Sequence, residues 1–329
     1  MSAESKGVGA QGAATRKAGL DRLADYAAPC ALLVIAALFA IFKPVFLSPD
    51  NLIGIVYQVS IIGIMAVGMT FVIMTGGIDL SVGSVLAVAG VATAELLALT
   101  DSNLALSIAG GLGVAAAIGL AQGFFVARLD LPPIVVTLAG LSIVRGAALL
   151  WGGPELHLIR GPASFLFIGS GQIGGVPAPV FIFIAIVAIA LFVQYRTAFG
   201  VEVLAVGDNA SAAFLSGLRI ARIKTMAYVI CALTAGLAGI IQASQVHTAA
   251  ATYGAGVELD VIASVVLGGA SLNSGAGSVL RTMFGVFLIG AVNNGLGLLN
   301  VPIEMQLIAK ALVIIVALSL TNRDWLARR

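Results

Sequence analysis

The sequence predicts an all-α polytopic membrane protein with about ten transmembrane helices. Three observations support this fold class. Hydrophobic residues make up 60% of the 329-residue chain and charged residues only 10%, whereas soluble domains carry about 25% charged residues. Apolar runs of about 20 residues, the length of a helix that spans a bilayer, recur along nearly the whole chain. The forty glycines allow the backbones of such helices to approach closely, which favours a compact bundle.

The apolar runs predict the membrane segments, in chain order. They cover approximately residues 27–46, 51–74, 80–99, 104–127, 131–151, 178–195, 225–247, 257–272, 281–298 and 303–321. We expect residues 27–321 to form one membrane domain. Residues 1–26 are polar and have no apolar core of their own, which predicts a cytoplasmic tail rather than a cleaved signal peptide. Residues 322–329 form a second, short cytoplasmic tail.

The distribution of basic residues predicts that both ends of the chain lie in the cytoplasm. With the N-terminus inside, thirteen lysines and arginines fall on the inner side and only Lys43 and Arg160 on the outer side. Cytoplasmic loops carry an excess of such residues, so the positive-inside rule supports this orientation. Arg145 and Lys310 fall within predicted segments, where a charge is costly unless it is paired. The candidate partners for these two charges are Asp79, Glu95 and Glu304.

The first polar break in the apolar pattern lies between the second and third segments. Gly76 and Gly77 can adopt the left-handed backbone that ends a helix, and Asp79 can accept backbone N–H groups at the start of the next helix. One interpretation is a capped turn between two spans. The other is that the joint borders a transport pathway, because non-helical backbone in a bilayer is tolerated where it lines a wet cavity. The candidate residues for this pathway are Gln58, Thr75, Asp79 and Ser81.

The second polar break lies at the start of the eighth segment, which is short and is headed by Glu258 and Asp260. Its sequence resembles the run that Asp79 heads, since each is a helix headed by aspartate with a serine in its second turn. The two runs have opposite predicted directions, as in the inverted repeats whose broken helices form transport sites. A composition rich in small apolar residues also produces matches this short. Asn293 and Asn294 form an adjacent amide pair in a later glycine-rich run and complete the set of pathway candidates.

The connection at residues 152–179 is long and rich in glycine and proline. These residues interrupt regular structure, so we expect a surface loop there. The apolar residues 165–168 within it predict a short interfacial stretch.

The cytoplasmic loop at residues 196–224 contains a short helical pattern. Asp208 or Asn209 can cap a helix that starts at Ala210, and Gly217 can end it. Two turns of isolated helix are unstable in water, so this helix needs a surface to dock on. That surface is either the protein's own bundle or another subunit.

Several chemistries lack the residues that they need. No lysine follows a glycine, as the phosphate loop of nucleotide-binding proteins requires, and no cysteine or histidine spacing suits zinc. No serine or cysteine stands in a recognisable catalytic triad. We therefore expect a protein that is not an enzyme and binds no cofactor, so that any ATP is hydrolysed by a partner subunit. The polar residues inside the segments are mostly neutral, which suits an uncharged polyhydroxylated solute better than an ion.

The run I-M-T-G-G-I-D-L-S-V-G-S at residues 73–84 resembles the signature of ribose-type sugar permeases, within the superfamily of branched-chain amino-acid and sugar permeases. The resemblance continues through residues 205–218, 257–271 and 290–299 in the same order and spacing. It implies a ten-helix bundle like those of type II ATP-binding-cassette (ABC) importers, in the bacterial inner membrane. The implied partners are an ABC ATPase, a periplasmic sugar-binding protein and a second permease copy in a homodimer, with membrane lipid around the bundle and no nucleic acid.

The resemblance also assigns a role to the cytoplasmic loop. In ABC importers, a loop with the pattern E-A-A-x-x-x-G forms the coupling helix that docks into the ATPase. The candidate coupling residues here are Asn209, Ser211, Ala212, Ala213, Ser216 and Gly217. Ser211 replaces the usual acid, so a salt bridge from that position to the ATPase is not expected. The alanines and the glycine still permit close packing.

The sequence therefore predicts the permease subunit of an ATP-driven importer for a monosaccharide or a similar neutral polar solute. A related alternative is a branched-chain amino-acid ABC permease, although the sequence has no clear paired charge site for a zwitterion. A rival from another class is an ion-coupled secondary transporter with Asp79 or Glu95 as the coupling acid. The long cytoplasmic loop, rich in alanine and glycine, fits that rival poorly.

Overall fold

The computed structural model describes residues 27–153, 155–159, 161–271 and 275–321. The tails predicted at residues 1–26 and 322–329 lie outside the described residues, together with the basic residues that they contain. Helices form most of the described chain.

Thirteen α-helices follow one another in the described part of the chain. They are α1 (Ala27–Phe42), α2 (Pro49–Met74), α3 (Val82–Leu99), α4 (Leu104–Ala127), α5 (Pro133–Gly152), α6 (Ala163–Ser170), α7 (Ala178–Arg196), α8 (Ala198–Asp208), α9 (Ala210–Leu215), α10 (Ile220–Val246), α11 (Val257–Leu267), α12 (Val279–Leu298) and α13 (Ile303–Thr321). A 3₁₀ helix, Pro44–Leu47, separates α1 from α2. The strands are β1 (His157–Leu158), β2 (Gln172–Ile173), β3 (Val176–Pro177) and β4 (Thr248–Ala249), which pair antiparallel as β1 with β4 and β2 with β3.

Seven helices in the described residues are long and apolar enough to cross a membrane. They are α2, α3, α4, α5, α7, α10 and α12. The apolar helix α1 is shorter, with 16 residues. These helices confirm the predicted fold class, an all-α polytopic membrane protein.

Local chemistry explains where several helices begin. Ser48 precedes α2 and its hydroxyl accepts from the backbone N–H of Asn51 at 3.4 Å. Asn103 caps α4 in the same way, accepting from the N–H of Leu106 at 3.2 Å. Pro49 follows the first of these caps, at a position where its missing N–H leaves no helical bond unmade.

The core of the bundle is built around α10, which packs against α2, α3 and α4. These contacts depend on glycines. A Cβ atom at Gly239 in α10 would lie 2.0 Å from the carbonyl oxygen of Leu86 in α3. A Cβ atom at Gly119 in α4 would lie 2.8 Å from the Cα of Val229 in α10. Backbone therefore meets backbone across these interfaces, as expected for membrane helices whose packing relies on small residues.

The helix in the eighth predicted segment, residues 257–272, ends earlier than predicted and is too short to span a membrane by itself. α11 has only 11 residues and rises about 16 Å, roughly half of the hydrocarbon core of a bilayer. The chain turns at Gly269, which has a φ of 83°, and later returns as α12. Gly285 of α12 packs on the backbone of Ser264 in α11, so the two helices form a hairpin.

The connection at residues 152–179 is more ordered than the sequence predicts. The interfacial stretch expected at residues 165–168 belongs to α6, and Phe165 is fully buried. The hydroxyl of Ser244 in α10 donates to the carbonyl of Phe165 at 2.6 Å and accepts from the N–H of Gly169 at 2.7 Å. These apolar residues pack against α10 because the bundle itself provides a buried surface for them.

Candidate functional site

Residues 75–81 form the joint between α2 and α3. Gly76 has a φ of 76°, which confirms that a left-handed glycine ends the first helix, but Gly77 has no positive φ. Position 77 requires a glycine for a steric reason instead, because a Cβ atom there would lie 2.7 Å from the hydroxyl oxygen of Tyr228 in α10. That hydroxyl donates to the carbonyl of Ile78 at 3.2 Å, so α10 holds the joint in place.

Asp79 is fully buried in this joint. Its Oδ1 accepts two hydrogen bonds from Ser81, one from the backbone N–H at 2.9 Å and one from the hydroxyl at 2.7 Å. The Nε2 of Gln122 in α4 donates to the same hydroxyl at 2.7 Å. Asp79 accepts a backbone N–H at the start of the next helix, as predicted, but that group belongs to Ser81, and α3 itself begins at Val82 without a side-chain cap bond. The carboxylate stabilises the turn before the helix and ties it to α4 through Ser81.

Two acceptor atoms in this cluster have no hydrogen-bond partner in the described part of the chain, Asp79 Oδ2 and Gln122 Oε1. The thiol of Cys231 in α10 lies beside the aspartate but does not reach hydrogen-bond geometry with Oδ2. A buried acceptor without a donor costs about 1–3 kcal/mol. The hydroxyl of Thr137 in α5 adds a long hydrogen bond, 3.4 Å, to the carbonyl of Ile78. The joint is therefore a polar junction enclosed by α4, α5 and α10.

Residues 247–256 form a re-entrant segment between α10 and α11. His247 ends α10 with a φ of 56°, and the chain then folds back into the bundle. A Cβ atom on Gly83, at the start of α3, would lie 2.2 Å from the carbonyl oxygen of Gly254. Because α3 and α10 run side by side, this contact means that the segment folds back along α10 by about two to three helical turns. α11 therefore begins within the depth of the bundle.

Arg145 in α5 holds the re-entrant segment. Its Nη1 donates to the carbonyl of Tyr253 at 2.6 Å and to the carbonyl of Ala251. Neither Asp79, Glu95 nor Glu304, the predicted partners of this charge, makes an ion pair with it among the described residues. Backbone carbonyls satisfy the guanidinium instead, since the re-entrant segment has no helical bonds that would occupy them.

The start of α11 carries two carboxylates with different partners. Asp260 forms an ion pair with Lys310 of α13 at 2.8 Å, which corrects the predicted partners of that lysine. Glu258 accepts from the N–H of Gly256 at 3.2 Å through Oε1, while its Oε2 is buried and has no hydrogen-bond partner among the described residues. A Cβ atom on Gly83 would lie 2.4 Å from that unpaired oxygen, which places Glu258 against the start of α3.

Three predicted residues lie on α2 and α12, two helices that pack against each other. Asn294 exchanges two hydrogen bonds of 3.0 Å with Asn51, so its amide links the two helices. Asn293 is half-buried, and Gln58 is exposed on the surface of the described bundle. The Asn294 amide thus serves helix packing, the most common role of such groups in membrane helices.

The structure does not bring the eight predicted pathway residues together. Thr75, Asp79 and Ser81 are in the buried joint, and Glu258 and Asp260 are at the start of α11. Gln58 is exposed on α2, and Asn293 and Asn294 are on α12. Among the residues that the structure describes, no group of three histidine, cysteine, aspartate or glutamate side chains is arranged to hold a metal ion.

The helix predicted within the loop at residues 196–224 is present as α9. Asn209 caps it, accepting from the N–H of Ala212 at 2.9 Å, whereas Asp208 is the last residue of α8. Gly217 follows the helix with a φ of 84°, which confirms that a left-handed glycine terminates it. The hydroxyl of Ser216 donates back to the carbonyl of Ala212 at 2.9 Å.

The exposed face of α9 carries large apolar side chains as well as small ones. Ala213 is buried in the protein's own core, with 5% of its surface exposed. Phe214 and Leu215 are 68% and 86% exposed. Ser211 and Ala212 are exposed as well. A partner that docks on this helix therefore meets two large apolar side chains, and Ala213 anchors the helix from below.

The sequence pattern did not identify the side chains that hold the joint at residues 75–81 and the re-entrant segment in place. Gln122 and Arg145 stand out as polar groups in apolar runs, but nothing in the sequence indicates which backbone or side chain they contact. Tyr228 carries no such signal, because a tyrosine in an apolar helix is unremarkable. Its hydroxyl is identified only by its position beside the joint.

Comparisons with known proteins identify permease components of transport systems as relatives of this chain. Residues 51–318 match the family described as the permease component of the branched-chain amino acid transport system. The ribose import permease protein of Escherichia coli K12 is 39% identical over 296 residues, 89% of this chain and 92% of that protein. Its counterpart in Bacillus subtilis strain 168 is 37% identical over 293 residues, 89% and 91% of the two chains. The L-arabinose ABC transporter permease protein of Azospirillum brasilense is 36% identical over 285 residues, 87% and 84%. No solved structure matches the chain.

Proposed function

Because the chain belongs to the family of branched-chain amino acid transport system permease components, we propose that it is the membrane subunit of an ABC importer that carries a monosaccharide into the cytoplasm. The relatives that match about nine tenths of the chain are ribose and arabinose permeases. Both sugars are neutral polyhydroxylated solutes, which agrees with the prevalence of neutral polar groups in the membrane helices. The alternative of a branched-chain amino-acid permease rests on the family's description alone.

The observation that carries the proposal is the exposed helix α9. Phe214 and Leu215 present large apolar surfaces outside the membrane-spanning helices, where an unpartnered apolar patch is disfavoured. A helix of six residues is not stable alone. Here its start is fixed by Asn209 and its inner face by Ala213. We propose that this rigidly held helix is the coupling element that the ABC ATPase contacts.

We propose that the chain crosses the bacterial inner membrane ten times with both termini in the cytoplasm. Nine of the passes are α1, α2, α3, α4, α5, α7, α10, α12 and α13, and the re-entrant segment together with α11 makes the tenth. The bias of basic residues toward one side supports this orientation. It places α8 and α9 in the cytoplasm, beside the ATPase, and α6 on the periplasmic side, beside the sugar-binding protein.

We propose that the solute passes beside the start of α11. Ser264 packs on Gly285 in the α11–α12 hairpin, and extending this pairing by two turns brings Asn293 about level with Glu258. Helices that begin within the bilayer are the usual site of solute contact in transporters. We assign Thr75, Asp79 and Ser81 to the junction that supports this region, because they are enclosed.

The junction role of Asp79 makes two substitutions behave differently. Asp79→Asn keeps an oxygen that accepts both bonds from Ser81, so we expect wild-type stability and sugar uptake near normal. Asp79→Ala removes the acceptor and leaves the buried Ser81 groups unpaired, which costs about 1–3 kcal/mol. The measurements are the thermal unfolding of the purified variants and sugar uptake in the same cells. An Asp79→Asn protein that assembles fully but does not transport would place this carboxylate in the pathway.

The experiment that tests the proposed function reconstitutes the transporter from its parts. We expect the purified chain alone to hydrolyse no ATP, and to form a stable complex with its cognate ATPase that hydrolyses ATP faster with a sugar-loaded binding protein. Native mass spectrometry of the complex is expected to find two copies of this chain. ATP hydrolysis by the lone chain would contradict the importer, and one copy beside a different permease would contradict the homodimer. Competition of ribose, arabinose and leucine for uptake separates the sugar from the amino-acid alternative.

A further inference from the structure

A groove with an apolar floor and a basic rim lies where α4 ends and α10 begins. Its volume is about 1140 Å³. Leu120, Phe124 and Met226 contribute to its floor, and its rim includes Arg128, Arg219 and Arg222. Phe214 and Gly217 line the side of the groove next to α9. We refer to it as the basic groove.

The order of residues along both helices gives the basic groove a direction. On α4, Leu120, Phe124 and Arg128 follow at intervals of four residues, which places them on one helix face. On α10, Arg222 and Met226 have the same spacing. The two apolar residues on α4 are about half exposed, at 52% and 51%. The groove is therefore cationic near the end of α4 and the start of α10, and apolar further along both helices.

The cationic rim is not neutralised by the protein. None of its three arginines forms an ion pair with another residue that the structure describes. Glu202 lines a smaller groove of about 470 Å³ that shares Arg219 and Arg222, but it is not within ion-pair distance of either. Guanidinium groups bind phosphate oxygens through paired hydrogen bonds. A phosphate at the rim would supply the negative charge that these arginines do not receive from the described residues.

We propose that the basic groove binds an anionic phospholipid of the cytoplasmic leaflet. The phosphate lies among Arg128, Arg219 and Arg222, and an acyl chain covers Leu120 and Phe124. A phospholipid matches the groove because its anionic headgroup would meet the arginines and its acyl chain would meet the apolar floor. Both lie at the depth where α4 and α10 leave the bilayer. This assignment rests on the proposed function in one respect, the orientation that puts these helix ends at the cytoplasmic surface.

The test measures lipid retention by the purified full-length chain, without ATPase or sugar. The protein is reconstituted in bilayers of phosphatidylcholine mixed with phosphatidylglycerol, released into detergent, and examined by native mass spectrometry. We expect wild-type protein to retain phosphatidylglycerol in preference to phosphatidylcholine. Each rim arginine is expected to contribute about fivefold, so the double variant Arg219→Gln/Arg222→Gln should lose about 25-fold in retention. The matched control is Arg196→Gln, an exposed arginine at the end of α7 outside the groove, which should retain lipid like the wild type.

Three other outcomes would overturn the assignment. Equal retention by the double variant and the control would show that the groove does not select anionic lipid. Displacement of the lipid by inorganic phosphate, with no effect of Phe124→Gln, would indicate a site for free phosphate. Release of the lipid when the ATPase is added, with loss of ATPase binding in the arginine variants, would make the groove part of the ATPase interface. Sugar uptake is measured separately, so failure of the lipid site leaves the importer function standing, and the reverse also holds.

Discussion

Replacing Gly239 by alanine should strongly destabilise the packing of the bundle, although the change adds only one methyl group. The new Cβ atom would lie 2.0 Å from the carbonyl oxygen of Leu86 and 3.0 Å from its Cα. Both are backbone atoms of α3, so relief requires the two central helices to move apart. We expect a loss of stability of about 3 kcal/mol, the upper end of what overpacking a core costs. The measurement is thermal unfolding of the purified protein, with size-exclusion chromatography to detect misassembled material.

Gly113 provides the matched control for this substitution. It lies in the membrane helix α4, and a Cβ atom there would meet no atom within 4 Å. Gly113→Ala should therefore fold normally and can gain up to about 1 kcal/mol, because alanine is the better helix former. If Gly239→Ala unfolded at the same temperature as Gly113→Ala, the close backbone contact between α3 and α10 would be disproved.

Leu215→Arg should abolish sugar uptake while leaving the membrane bundle intact. Leu215 is 86% exposed on α9 and is absent from the protein's buried core, so an arginine there disturbs no internal contact. If the ATPase packs over this side chain, a buried charge enters the interface and removes an apolar anchor. Loss of such an anchor costs about 2 kcal/mol or more, a drop in affinity of about thirtyfold. Co-purification of the ATPase and uptake in the same cells measure the effect.

Two neighbouring variants define the specificity of this result. Leu215→Met keeps an apolar side chain of similar volume and should retain ATPase binding. Ala213→Arg should instead lower the amount of folded permease, because Ala213 is 5% exposed and its side chain faces the core. Normal ATPase binding and normal uptake by the Leu215→Arg protein would remove α9 as the coupling element. Loss of its membrane insertion would contradict the exposed position of Leu215.

Composition was sufficient to predict the fold class, because a bilayer admits few structures besides apolar helices and makes their length recognisable. Local backbone chemistry was also predictable from neighbouring residues. Asn209 caps α9 and Gly217 ends it with a positive φ, as their residue types indicate. Gly76 ends α2 for the same reason. In each case the cause lies within a few residues of its effect.

Partners that are distant in sequence were not predictable. The sequence marks Arg145 and Lys310 as costly charges, but their partners, two carbonyls of the re-entrant segment and Asp260, depend on the depth and rotation of each helix. The link from Asp79 through Ser81 to Gln122 has the same origin. These helices are apolar on all sides, since some sides face lipid and others face protein. The pattern that identifies the buried face of a soluble helix is therefore absent.

Only the tertiary structure decides how far α11 extends and which side of α9 is free. A 16-residue run of mostly apolar residues at 257–272 is compatible with a short span in a locally thinned bilayer. The chain nevertheless turns at Gly269, because the re-entrant segment has already carried it into the bundle. On α9, alanine and leucine are both plausible contacts for a partner. Contact with the core buries Ala213 and leaves Leu215 outside, since a helix of two turns can turn only one face toward the protein that supports it.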